Sequence, residues 1–321
     1  MSARRDILDW SERGYIAPND VQTALRVGGA LPEAADWRGF VEQLLLWLGM
    51  ALVASGVGFF VAYNWQDLGR FEKLALVQGL VVAALAVVGW KGLDRPAGRA
   101  ALFGAALLVG TLFALVGQIY QTGADTFELF ATWGVAVLPW ALVARFAPLW
   151  ALWLLIANLA IVLYYTTFGG LLGVLFGPER LLWVLFAFNT AALVLWESLA
   201  AGGIRWLSGR WAPRLLALAS GGLATALAVW SLLDWRATSG WGMPLWLVWL
   251  GAAYLVYRRW RRDLFVLAGG VSSVVIVAAT FLLEHMGLDD YGGFLVVALA
   301  VVGLSAVGTR WLQVVAAEMD Q

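Results

Sequence analysis

Polar side chains gather most densely in one short run, Gly117-Gln118-Ile119-Tyr120-Gln121-Thr122-Gly123-Ala124-Asp125. Its amides, hydroxyls and carboxylate would hydrogen-bond a polar solute or a lipid headgroup. Gly117 and Gly123 allow a close backbone approach or a tight turn. A second, shorter set, Asn64-Trp65-Gln66-Asp67, follows the first apolar stretch and is expected at the same depth in a membrane. Asn64, Trp65, Gln118, Tyr120, Gln121, Thr122 and Asp125 are therefore the candidate ligand-binding residues of a shallow, outward-facing polar pocket. A hydrated interfacial turn with ordinary helix caps is the competing reading of the same residues.

Catalysis has little to work with. The chain has no Cys, which removes disulfides, thiolate metal sites and Cys nucleophiles, and its only His, His285, removes multi-His metal sites. The acid-base pairs on offer are Asp125 with Glu128 and Glu284 with His285, and the latter sits beside Asp289 and Asp290 in what reads as a solvated turn. Ser-His-Asp spacing, a phosphate-binding loop and a dinucleotide fingerprint are all missing. The residues point away from an enzyme, and no metal or other cofactor is implied. Net charge is zero, with 21 basic and 21 acidic residues, so nucleic acid is not an expected partner.

The elements that must position these groups are membrane helices. The chain has 321 residues, 62% hydrophobic and 13% charged, with 20 Trp and a mean hydropathy of +0.80. A soluble domain is about a quarter charged, so this chain lacks the polar skin that solubility requires. A bilayer core about 30 Å thick takes about 20 apolar helical residues. Stretches that meet this run over 44–63, 74–90, 100–120, 127–144, 149–165, 181–199, 215–233, 241–257, 264–283 and 292–309. The sequence thus predicts an all-α, polytopic transmembrane helical bundle of about ten spans. Apolar residues 169–177 are too few to span and read as a loop or a re-entrant dip.

Charge placement sets the orientation, because cytoplasmic loops carry the excess of Lys and Arg. Threading ten spans puts Arg70, Lys73, Arg180 and Arg236 on one side and every other basic residue on the other. Both termini are then cytoplasmic. Residues 1–40 are charged and interrupted, unlike a cleavable signal, and predict a small cytoplasmic helical hairpin: one helix stops at Gly14 and a second opens at Pro18-Asn19-Asp20. The domain reading is this hairpin over 1–40 and a transmembrane domain over 41–321.

Trp65, Trp90, Trp183, Trp196, Trp206, Trp235, Trp241, Trp260 and Trp311 fall at span ends and read as headgroup-level anchors. Inside the spans, Gln78, Thr111, Asn158, Asn189, Ser220, Thr225, Ser272, Ser273 and Thr280 are polar but uncharged, which argues against a proton pathway. Asn158 and Asn189 read as interhelical hydrogen-bond partners, and glycines such as Gly104, Gly221 and Gly308 as close-packing points. A faint likeness of 74–79 to 216–221, five spans apart, would fit an inverted five-plus-five repeat.

Trp10 with Gly14-Tyr15-Ile16, then Asn64-Trp65, then the Gly117–Asp125 run with Trp133 and Leu138-Pro139, resemble a family of bacterial predicted membrane proteins, domain of unknown function 2157. The likeness covers about residues 5 to 145. It implies a polytopic bacterial inner-membrane protein and no particular activity. Two function classes follow: binding or transport of a small polar or amphipathic solute or lipid headgroup through the outward pocket, or a non-catalytic scaffold or sensor that meets an envelope protein partner. The lipid bilayer is a partner in both.

Overall fold

The computed structural model describes residues 3–31, 34–63, 67–168, 177–233, 240–286 and 291–319. Among them are twelve α-helices and no strand: α1 Ala3–Glu12, α2 Val21–Val27, α3 Ala34–Tyr63, α4 Arg70–Lys91, α5 Pro96–Tyr120, α6 Thr126–Ala144, α7 Ala147–Phe168, α8 Pro178–Ala201, α9 Trp211–Leu233, α10 Gly242–Leu255, α11 Leu264–Met286 and α12 Tyr291–Met319. Nine of the described helices, α3 to α9 with α11 and α12, are long and apolar enough to cross a membrane. The remaining expected span takes a different form. α10 has 14 residues, about 21 Å of α-helix, and continues into a π-helical turn over Val256–Trp260. The apolar segment 169–176 lies outside the described residues.

These helices are apolar on nearly every face, which is what lipid in place of water selects. Phe59, Val135 and Val307 are 77%, 73% and 68% exposed, side chains that only an acyl-chain environment would cover at no cost.

The chain divides into two compact units, residues 1–124 and 125–319. They hold three and six of the nine membrane-crossing helices, with the shorter α10 also in the second.

In the first unit, α1 and α2 pair as the predicted hairpin. Gly14, at φ +79°, ends α1 with Tyr15 N–H donating to the Trp10 carbonyl, and Ile7 is buried against Gly28. The first membrane helix starts earlier than its apolar run, at Ala34. α5 lies between α3 and α4: Val61, Val77, Leu108 and Leu115 form one cluster, and Gly104 brings the α5 backbone against Met50.

In the second unit, α6 and α7 form a hairpin in which Trp153 Nε1 donates to the Gly134 carbonyl at 3.0 Å. α9 is the hub, packed against α8, α10 and α11. Its small residues Ala217, Ser220, Gly221, Ala224 and Ala228 are buried, and Gly221 takes the Trp249 ring directly. Polar seams hold the same helices together. Asn158 and Asn189 exchange amide hydrogen bonds of 2.6 and 3.2 Å, as their placement predicted. Ser220 Oγ meets Thr190 Oγ1 at 2.6 Å and accepts from Trp249 Nε1 at 2.8 Å. Ser273 Oγ meets Thr225 Oγ1 at 2.6 Å and accepts from Trp246 Nε1 at 2.7 Å. Each of these seam groups finds a partner on a neighbouring helix, which is the condition for keeping it in hydrocarbon; the buried Trp150 Nε1 has no hydrogen-bond partner among the described residues.

Trp90, Trp241 and Trp260 are 78%, 67% and 82% exposed, in keeping with anchors. Trp196 is not one. It is 6% exposed, donates to the Leu207 carbonyl and packs edge-on to Trp206, which stacks in turn on Trp150. An aromatic stack buries more area here than a headgroup contact would.

Candidate functional site

Of the seven predicted site residues, five lie among the described residues, at the end of α5, in the turn after it and at the start of α6. Gln118, Tyr120, Gln121 and Thr122 lie at the exposed C-terminal end of α5, with Tyr120 56% exposed. Gln121 adopts the left-handed region (φ +45°) and Gly123 follows at φ +68°, while Thr122 N–H closes the turn on the Gly117 carbonyl at 3.4 Å. Gly123 supplies the backbone freedom expected of it, and Gln121 accepts a left-handed conformation that costs a side-chain-bearing residue energy. Asp125 is the exposed N-cap residue of α6. Asn64 and Trp65 lie outside the described residues. Val61 of α3 shares a cluster with Leu115 and Ile119 of α5, so the ends of these two helices lie at one end of the first unit.

A denser polar constellation, absent from the sequence reading, sits in the second unit at the ends of α8, α9 and α10. Its centre is Asp263, whose side chain is 1% exposed. Arg210 donates to Asp263 Oδ2 through Nε (3.1 Å) and Nη2 (3.0 Å), and Arg214 Nε reaches both carboxylate oxygens at 3.1 and 3.0 Å. The Phe265 N–H adds a bond to Oδ1 at 3.1 Å. Arg210 Nη1 also bridges to Glu197, at 3.0 and 3.2 Å to its two oxygens. Glu197 in turn accepts from Tyr257 Oη at 3.2 Å and pairs with Arg261 Nε at 3.0 Å, while Arg261 Nη2 donates to the Glu197 carbonyl at 2.6 Å.

Local geometry makes this assembly possible. The π-turn at Val256–Trp260 widens the end of α10 and Arg262 turns through φ +43°. Asp263 N–H then closes on the Tyr257 carbonyl at 3.0 Å, which folds the Asp263 carboxylate back beneath the α9 arginines. Bidentate guanidinium contacts are the strongest class of charge-assisted hydrogen bond, and they offset the cost of taking Asp263 out of water. Burial by itself would raise the Asp263 carboxyl, but the hydrogen bonds and charges of Arg214 and Arg210 outweigh it and hold it below the usual carboxylate range. Burial likewise works to lower Arg210, and Glu197 and Asp263 reverse it and raise the guanidinium above its ordinary value.

Arg258 pairs with Glu318 of α12 nearby. Three basic segments that the threading assigns to one leaflet, around 205–214, 258–263 and 310–319, are thus tied together at one end of the unit. Glu197 and Asp263 carried a signal that could have been read: Asp263 is a lone acid at the end of an arginine-rich segment, and Glu197 is a lone acid near the C-terminal end of an apolar helix.

Beside this cluster a groove of about 380 Å³ opens between α8 and α10. Leu193, Val194, Ala252 and Val256 form its apolar wall, Thr190 lies at one end, and Glu197, Tyr257, Trp260 and Arg261 lie at the other. Two further grooves flank α11: one of about 330 Å³ is lined almost wholly by apolar side chains, and one of about 420 Å³ adds the hydroxyls of Thr225, Ser272 and Ser273.

Helices that cross a bilayer, lipid-exposed apolar faces and polar seams confined to helix interfaces define an integral, multi-pass helical membrane protein. Residues 8–150 match the family described as Predicted membrane protein (DUF2157), the family that the motifs of the N-terminal half resemble. That match takes in α5 and its exposed turn and ends within α7; the ion-paired cluster lies beyond it. Comparison with curated proteins and with solved structures gives no match.

Proposed function

We propose that this chain is a non-catalytic protein of the bacterial inner membrane, both termini cytoplasmic, that holds an amphipathic molecule in the groove between α8 and α10. The observation that carries this reading is the groove's polarity. One end is rigidly polar because Arg210, Arg214, Glu197, Asp263 and Tyr257 lock one another in place, and the rest is apolar and lateral, the form that suits a headgroup joined to a hydrocarbon tail.

Filling the groove tests it. Val194→Trp places an indole on the apolar wall, and protein purified in mild detergent should then retain less co-purified lipid, measured by extraction and mass spectrometry, with an unchanged elution volume. Equal lipid content in the two proteins would end this reading.

The exposed α5 turn favours a second role, contact with an envelope protein. Its groups face outward from the helix end and do not line any of the three grooves described here. Single cysteines at Thr122 and Arg261 in this Cys-free chain provide the topology test. In intact cells an impermeant maleimide should label the first and spare the second, and the reverse pattern would invert the orientation.

A further inference from the structure

We infer that the groove between α8 and α10 seats an anionic phospholipid from the arginine-rich leaflet, an acyl chain along Val194 and Ala252 and the phosphate at the arginines around Trp260. This rests on the groove reading above and adds the ligand's chemical class.

The argument is one of charge left over. Arg210 and Arg214 are engaged by Asp263, Arg261 by Glu197 and Arg258 by Glu318. Arg259 and Arg262, the chain neighbours of groove-lining Trp260 and Arg261, are exposed and make no ion pair among the described residues. Guanidinium groups match phosphate oxygens in a planar fork, and uncommitted arginines beside an apolar channel attract a headgroup with net negative charge over a zwitterionic one. Trp260, 82% exposed, lines the mouth with an indole of the kind that settles at headgroup depth. Glu197 does not oppose the phosphate, because its carboxylate is already neutralised by two arginines and hydrogen-bonded by Tyr257.

The test is native mass spectrometry of the full chain in detergent, titrated separately with phosphatidylglycerol, phosphatidylcholine and inorganic phosphate. Phosphatidylglycerol should bind about tenfold more tightly than phosphatidylcholine, and phosphate alone should not register. Arg259→Gln with Arg262→Gln should remove that preference while phosphatidylcholine binding persists, and Arg259→Lys with Arg262→Lys should keep most of it. Val194→Trp should weaken both lipids. Equal binding of the two lipids, both weakened by Val194→Trp, would overturn this inference and leave the groove reading standing. Lipid binding indifferent to Val194→Trp would overturn both. A preference that survives the glutamine pair would place the headgroup elsewhere and also overturn it.

Discussion

The turn at the end of α5 and the cluster around Asp263 are both rich in polar groups, yet they are built on opposite plans. The turn takes its groups from consecutive residues, Gln118 to Asp125, and leaves them exposed. The cluster draws on α8, the entry to α9, the π-turn of α10 and the loop after it, and joins residues 13, 49, 53 and 64 positions apart. Exposed neighbours are free to meet something outside the protein; buried, mutually satisfied groups hold helices in place and shape what lies beside them. The difference teaches that polar density along the chain marks an exposed turn here, while the rigid polar end of a groove comes from charges scattered along the chain.

The strongest way to break the contrast is to remove Asp263. Asp263→Ala strands Arg210 and Arg214 at a helix junction and should cost roughly 2–4 kcal/mol of stability, with some relief because the arginines are partly exposed. Thermal unfolding in detergent should show it. A shift as small as that of a surface charge would mean that the cluster holds nothing together.

Acid should reach the same endpoint more gradually. The folded-state pKa of Asp263 is depressed, so its contribution is fully present above the ordinary carboxylate value of about 4 and is lost as pH falls through the lower folded-state value. Melting temperatures of wild type and Asp263→Asn should stay apart from neutrality to about pH 4 and converge below it. Convergence already near pH 6 would contradict the depressed pKa.

A smaller effect is expected at the Asn158–Asn189 pair. A double-mutant cycle with leucine at each position should give a coupling of about 0.6 to 1.7 kcal/mol, the range for hydrogen bonds between membrane helices. No coupling would mean that both amides are satisfied by their own helices, since each also donates to a carbonyl four residues earlier.

The smallest effect belongs to the exposed turn. Gln118→Ala and Asp125→Asn should each alter unfolding by less than about 0.5 kcal/mol. A loss comparable to that at Asp263 would show that these groups are structural and erase the contrast.

Some of this was legible in the residues. The membrane helices follow from runs of apolar side chains, because bilayer thickness translates directly into length, and the amide pair follows from two asparagines in hydrocarbon that need partners. The α1–α2 hairpin was legible from Gly14 and the Pro18 start. The helix-end cluster was not, because arginines next to a membrane have a sufficient explanation in topology, and Glu197 and Asp263 read as incidental beside them. Trp196 was misplaced for a related reason: a tryptophan at a span end is an anchor by default until a second tryptophan is found edge-on against it, with a third stacked on that one.

The sequence by itself determined that this chain lives in a bilayer, that it is helical and where most of its membrane helices run, since all of these depend on composition and on lengths measured along the chain. Only the tertiary structure decided which charges neutralise one another, that α10 ends in a π-turn carrying Asp263 back to the α9 arginines, and that a groove with one polar end opens beside them. Contacts between residues 50 or 60 positions apart depend on how helices pack around α9, and packing among nearly uniform apolar faces is set by small residues and hydrogen bonds that no single segment reveals.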